Sequence, residues 1–271
     1  MVEQGRSKVA MDTILDAHCH LADPRLYPDL DGALARAASA AVGTIIAVGA
    51  IDTIETDRLT VEIAERHPHV FAAVGVHPHN ASDCDEPRIA ALTALARSPK
   101  VVAIGETGLD FHYMRSPADA QERSLRAHLE LAGALDRPVM IHCRDAERRL
   151  CEIVRETGMP PAGGMIHCFT GDADAAQEFV ELGFYISFSG ILTFKKANAL
   201  RAAAMVVPRD RLLIETDAPY LTPEPYRGKP NEPAYVRRTF EAMAALRGAD
   251  AAALAAQICA NAARLFKLPA P

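Results

Sequence analysis

Tryptophan is missing from this sequence of 271 residues, and the aromatic share is only 6%. That argues against a surface built to stack successive single-stranded bases. Positive charge is not in excess either. The chain has 29 Lys and Arg against 35 Asp and Glu, a formal net charge of -6, which excludes a global field able to hold nucleic acid through counterion release. A phosphate substrate would have to be attracted by local groups. There is no C-x-x-C pair and no dense cysteine framework. Cys19, Cys84, Cys143, Cys151, Cys168 and Cys259 are scattered along the chain and read as reduced thiols of a cytoplasmic protein without disulfides. No window approaches 18 consecutive apolar residues, and the opening MVEQGRSKVA lacks the apolar core of a secretory signal, so a soluble protein is expected. No Gly/Ser linker or charge block divides the chain. The expectation is a disordered extension over residues 1–11 and one domain over residues 12–271.

What is present is a repeat of short apolar runs, spaced very roughly 30 residues apart: TILDAHCH, GTIIAVGA, VFAAVGVH, VVAIGETG, PVMIHCRD, GGMIHCFT, FYISFSG and LLIETDAP. The segments between them have helical spacing. Leu125, Leu129, Ala132 and Leu135 recur after Ser116-Pro117, which reads as a cap followed by a first-turn proline; Leu150, Ile153 and Val154 recur before Gly158, a helix terminator. Strand and helix in steady alternation imply a parallel sheet covered by helices. Eight such units in a chain of this length predict a closed (β/α)8 barrel, a single TIM barrel of the α/β class. The longest non-helical passage, residues 216–233, is too proline-rich for helix or central strand and is expected to be a functional loop.

The predicted strands end in ionisable or polar residues: His18 and His20; His77 with His79; Glu106; His142; His167; Ser187 and Ser189; Asp217. In a barrel all strands finish at one face, so groups far apart in sequence converge. Alternation puts His18 and His20 on the inward face and turns Cys19, Cys143 and Cys168 outward as packing residues. A lone strand-end histidine is more often a hydrogen-bonded structural residue, but several strands each ending in a ligand type shift the balance to a metal site. Imidazole and carboxylate donors without thiolate suit a divalent ion. More candidates are present than one tetrahedral ion uses, which predicts two ions with Glu106 as the bridge. His67, His69, His112 and His128 are expected to be surface or loop residues, and Arg144 and Asp145 to open a helix or support the site. Asn231 is expected to cap the next helix.

The set DAHCHL, GVHPH, GETGLD, IHCRDA, MIHCFTG, YISFSGILTFK, ETDAPYLTP and RGKPNEPAYV, from Ile14 to Phe266, resembles the TatD family of metal-dependent hydrolases, within the amidohydrolase-like barrels. The resemblance implies a deoxyribonuclease using divalent metal. It carries the ligand roles onto His18, His20, Glu106 and Asp217 for one ion and onto Glu106, His142 and His167 for the other. Ala17 stands where the family often has Ser or Thr, and NAARLF where it often carries an aromatic; neither touches the ligands.

The mechanism expected from this set uses a shared water whose pKa two ions lower toward neutrality, with Asp217 as general base and Glu106 as the bridging catalytic carboxylate. His77, Arg227 and Lys229 are the candidates for gripping the phosphate. The ions could be Zn, Mn, Mg, Fe, Ni or Co. DNA, attacked at ends or single strands, is the expected partner, with no membrane and no obligate protein partner. The runner-up keeps the site and changes the bond to a carboxylic ester or amide, as in an aminoacyl-tRNA deacylase. A barrel that has lost catalysis and only binds is the third reading.

Overall fold

The computed structural model describes residues 12–269, so the extension expected over residues 1–11 lies outside the described residues. The elements alternate as the spacing predicts: β1 Ile14–Cys19, α1 Leu30–Ser39, β2 Val42–Val48, α2 Ile54–Arg66, β3 Val70–Val74, α3 Glu86–Leu95, β4 Val101–Asp110, α4 Ala118–Ala134, β5 Val139–Arg144, α5 Glu147–Thr157, β6 Gly164–Ile166, α6 Ala173–Glu181, β7 Tyr185–Phe188, α7 Asn198–Val206, β8 Leu212–Ile214, α8 Val236–Arg247 and α9 Ala251–Phe266. All strands are parallel, in the order β1 to β8. The fold is a TIM barrel. Its strands are apolar on both faces because the interior and the helix layer cover them; Ile45, Val74, Ile104, Ile141, Ile186 and Leu213 are all fully buried.

Between β1 and β8 the ladder gives way to a single bridge, Cys19 to Ala218, so the barrel is nearly closed. Side chain and backbone close this seam together. The amide of Asp217 donates to His18 O (2.9 Å) and that of His20 to Ala218 O (2.7 Å). Below them the buried Asp16 carboxylate accepts from Thr216 N (2.8 Å) and Thr216 Oγ1 (2.5 Å). Burial pushes the Asp16 carboxyl up to about 8, against the lowering effect of these Thr216 bonds.

A second irregularity lies on β4, where pairing with β5 skips between Ile104 and Thr107. Two glycines make it possible. A Cβ on Gly105 (φ 140°) would lie 2.4 Å from Met140 O, and one on Gly108 (φ 141°) 2.0 Å from His142 O; only glycine tolerates both the dihedral and the approach. The interrupted stretch carries Glu106.

Local chemistry departs from the sequence expectation at a few points. Ser116 does not cap α4: its hydroxyl donates to His79 O (2.8 Å) and accepts from Ser82 N (3.2 Å), and Pro117 occupies the capping position. Asn231 pins the final loop, donating from Nδ2 to Thr216 O (2.9 Å) and Tyr220 O (2.6 Å), although its Oδ1 also accepts from Glu232 N. His128 is no surface residue. It is fully buried on the inner face of α4, where its Nε2 accepts from Val76 N (3.0 Å) and its Nδ1–H donates to Ser124 O (2.7 Å). The apolar period of α4 placed it inside, and two backbone partners satisfy a ring that would otherwise be costly to bury.

Candidate metal centre

The strand ends converge at the C-terminal mouth of the barrel. His20, His77, Glu106, His142, His167 and Asp217 line a cavity of about 550 Å³, and His18 lies fully buried behind them. Glu106 is the hub. Its Oε1 lies 2.7 Å from His167 Nε2, 3.0 Å from His142 Nδ1 and 3.3 Å from His77 Nε2. Its Oε2 lies 3.5 Å from His18 Nε2 and 3.8 Å from His20 Nε2. Asp217 Oδ1 closes the other side, 3.4 Å from His20 Nε2 and 3.6 Å from His18 Nε2. Asp217 has φ 56°, a left-handed residue at the seam, where local strain is typical of a functional position.

The outer nitrogen of each ring fixes what the inner one can do. His20 Nδ1 faces Val48 O at 3.2 Å; a carbonyl only accepts, so Nδ1 carries the hydrogen and Nε2 is bare. His18 Nδ1 meets the thioether of Met140 at 3.1 Å, His142 Nε2 meets Asp110 Oδ2 at 3.1 Å, and His167 Nδ1 meets Glu215 Oε1 at 3.3 Å. By the same argument each of the four rings, in its neutral form, turns a lone pair toward Glu106 and Asp217. His18 Nε2 and His20 Nε2 stand 3.1 Å apart, and His142 Nδ1 and His167 Nε2 3.3 Å apart, with no hydrogen between them to share. Such convergence of electron pairs is what a divalent cation satisfies, and the nitrogen and oxygen donors fit one.

His77 is oriented the opposite way. Its Nδ1 accepts from His79 N (3.1 Å), so Nε2 carries the hydrogen and donates toward Glu106. The ligand atoms of His77, Glu106 and His142 lie close enough to hold an ion, as do those of His18, His20 and Asp217 and those of His18, His167 and Glu215; the tautomer makes His77 a donor instead. Burial holds the His77 imidazole down, at about 4. A proton competes with a metal cation for the same lone pairs. Burial opposes the carboxylate at Glu106, yet His167 and His77 hold it well below its ordinary range; burial opposes the imidazolium at His167, yet Glu106 and Glu215 hold it well above.

Asp110 and Glu215 form an outer layer that the strand-end reading did not select. Asp110 Oδ2 accepts from both His142 and His79 Nε2 (3.0 Å), while Oδ1 accepts from the amides of His112 (3.1 Å) and Tyr113 (2.8 Å). Glu215, fully buried, accepts from Cys168 N (2.7 Å) besides His167. Asp110, four residues after Glu106 on β4, was signalled by alternation, whereas Glu215 lies just past the end of β8 at Ile214, where only its closeness to Asp217 in sequence marked it. Cys143 and Cys168 also differ from expectation, since both line the cavity. Strand β6 ends at Ile166, and Cys168 has φ 42°, so alternation no longer applies to it. Arg227 and Lys229 are exposed and do not line the cavity. The Arg227 guanidinium lies over the Phe194 ring at 3.9 Å and donates to Thr222 O (3.4 Å).

The profile of the family described as TatD related DNase matches residues 15–267. The chain is 42% identical over 260 residues to the "Uncharacterized metal-dependent hydrolase YcfH" of Escherichia coli, covering 95% of this chain and 97% of that one. It is 37% identical to the "3'-5' ssDNA/RNA exonuclease TatD" of Salmonella typhimurium, covering 94% and 99%. Among solved structures it resembles a TatD homologue from Escherichia coli K12, with a TM-score of 0.89, 32% identity, and 94% and 98% of the two chains covered.

Proposed function

This chain belongs to the TatD family of metal-dependent hydrolases, and on that premise we propose that it is a nuclease that cuts phosphodiester bonds at the ends of single-stranded DNA with two divalent cations. The observation that carries the reading is the convergence of four bare imidazole nitrogens on two carboxylates at one barrel mouth. One cation would be held by His18, His20, Glu106 and Asp217, the other by Glu106, His142 and His167. Zn, Mn, Mg, Fe, Ni and Co all accept such donors, and availability selects among them. When bound, the pair supplies an activated water near neutral pH and a clamp on phosphoryl oxygens.

The chain's own residues do the rest. Asp217, at the cavity wall, accepts the proton of the attacking water. His77 lines the cavity with an Nε2–H that faces Glu106, and by turning it from that carboxylate it stabilises charge developing on a non-bridging oxygen; held down at about 4, it does so as a neutral ring at pH 7. Asp110 and Glu215 hold His142 and His167 in the tautomers that face inward. A cavity of about 550 Å³ accommodates a nucleotide and excludes the interior of a duplex, which favours strand ends, and a relative of this chain is named for 3'-5' single-strand exonuclease activity. Six free thiols suit a reducing cytoplasm.

The test is a panel of single- and double-stranded DNA, RNA and charged tRNA offered to the metal-loaded protein. Single-stranded DNA should be cut fastest, and Asp217→Asn should lower that rate by about 10²–10⁴-fold. Turnover confined to the aminoacyl ester of charged tRNA would overturn the proposal.

A further inference from the structure

Two guanidinium groups at the cavity mouth have no part in the mechanism above. Arg144 is the last residue of β5, and Arg115 lies in the turn between β4 and α4; both line the cavity. Among the described residues neither guanidinium is paired with a carboxylate, unlike Arg149 with Glu122 or Arg155 with Glu178. The neighbouring carboxylates are already engaged. Both oxygens of Asp110 are taken by His79, His142 and two amides, and Asp145 pairs with His112 Nδ1 at 2.9 Å. What holds the two arginines is the ring of Tyr113, 53% exposed, with the Arg144 guanidinium carbon 4.9 Å and that of Arg115 5.8 Å from its centroid. Cation–π contact fixes a guanidinium while leaving its N–H groups free to bind.

The position of this pair relative to the cradle is set by strand geometry. Arg144 lies two residues beyond His142 on β5, on the same face by alternation, with Cα atoms about 7 Å apart along the strand. That offset is close to the spacing of successive phosphates in an extended strand. Among the described residues no other Lys or Arg lines this cavity, so in a chain of net charge -6 these two are the side chains that extend its attraction for a polyanion beyond the metal cradle.

We propose that Arg115 and Arg144, spread over Tyr113, form a second phosphate subsite that grips the internal phosphodiester next to the one being cut. The inference rests on the nuclease reading. Tyr113 is a positioning residue in this arrangement. The subsite makes the protein prefer a strand of several nucleotides over a dinucleotide, whose single phosphate must occupy the cradle.

The test compares thymidine dinucleotide, its 5'-phosphorylated form and a longer oligothymidylate as substrates of the metal-loaded wild type and the Arg115→Ala/Arg144→Ala variant. The variant should raise KM about tenfold for the oligothymidylate, leave kcat within a few-fold and leave the unphosphorylated dinucleotide unchanged. A KM change for the phosphorylated dinucleotide as large as for the oligothymidylate assigns the subsite to terminal monoesters and overturns the internal-diester assignment. Anisotropy with a fluorescent phosphorothioate oligothymidylate reads binding apart from cleavage. The slope of log affinity against log salt should fall by about 0.7 for the lost phosphate contact. Tyr113→Ala should weaken binding, and Tyr113→Phe should restore it. Equal KM changes for all three substrates, or an unchanged salt slope, would overturn the subsite. If the wild type binds oligothymidylate with the expected slope but cuts none of the substrates, the nuclease reading fails while the subsite stands.

Discussion

The two flanks of the cradle present the same chemistry inward and different chemistry outward. On the β1–β8 flank, His18 is backed by the thioether of Met140 and His20 by the carbonyl of Val48. On the β5–β6 flank, His142 and His167 are backed by the carboxylates of Asp110 and Glu215. A neutral partner fixes a ring's orientation and tautomer. A carboxylate does both and also makes the inner nitrogen a stronger donor. On the proposed two-cation reading, the difference teaches that metal affinity would be unevenly built: the β5–β6 flank should hold its cation more tightly, and the β1–β8 flank, crossing the seam, should exchange more readily.

The comparison can be broken most severely at Glu106, the carboxylate whose two oxygens face the two flanks. Glu106→Gln should lower turnover by about 10³-fold and strip both cations, as elemental analysis after dialysis would report. Loss of one cation alone would mean that the flanks do not share their anion. The next effect in size sharpens the contrast itself. Asp110→Asn and Glu215→Gln should each weaken one class of cation by about 10–100-fold in competition with a chromophoric chelator. Met140→Leu, which changes what backs His18 of the other flank, should change affinity only a few-fold and cost less than about 1.5 kcal/mol of stability. A Met140→Leu effect as large as that of Asp110→Asn would erase the distinction.

The smallest effect concerns the scaffold shared by both flanks. Burial lowers the His128 imidazole from 6.5 to about 4, so the folded state keeps it neutral while the unfolded chain protonates it near 6.5. Its stability contribution is therefore intact above pH 6.5 and is lost as the pH falls toward 4, by on the order of 3 kcal/mol in total. Thermal unfolding of His128→Gln with chelator present should depend less steeply on pH across that window than the wild type. Parallel curves would remove His128 as the cause. Because its partner amide belongs to Val76, the residue before His77, the same variant tests whether this buried ring helps aim the cavity's proton-bearing imidazole.

Much of this was legible in the sequence, for a physical reason. Parallel strands buried on both faces read as apolar runs, and the ligand types interrupt those runs at their ends, so His18, His20, Glu106, His142, His167 and Asp217 stood out. Groups that act through another residue leave a fainter trace. Asp110 and Arg144 fall at even offsets from ligand positions on their strands, and alternation already carried that signal; Glu215, past the end of β8, was marked only by its closeness to Asp217. Other features needed the folded chain. Tyr113 and Arg115 lie in a turn where no period applies, His128 sits on a helix whose apolar stripe hides a satisfied polar ring, and Arg227 is drawn to the face of Phe194. Cys168 followed the alternation rule past the point where the strand had ended.

The seam between β1 and β8 also has a temporal side. The first strand leaves the ribosome with Asp16, His18 and His20, and Thr216 follows 200 positions later. At roughly 5–20 residues per second, that interval is on the order of ten seconds or more, and throughout it the candidate metal centre lacks its last carboxylate. A hydrolase assembled this way cannot complete its site until the eighth strand has been made.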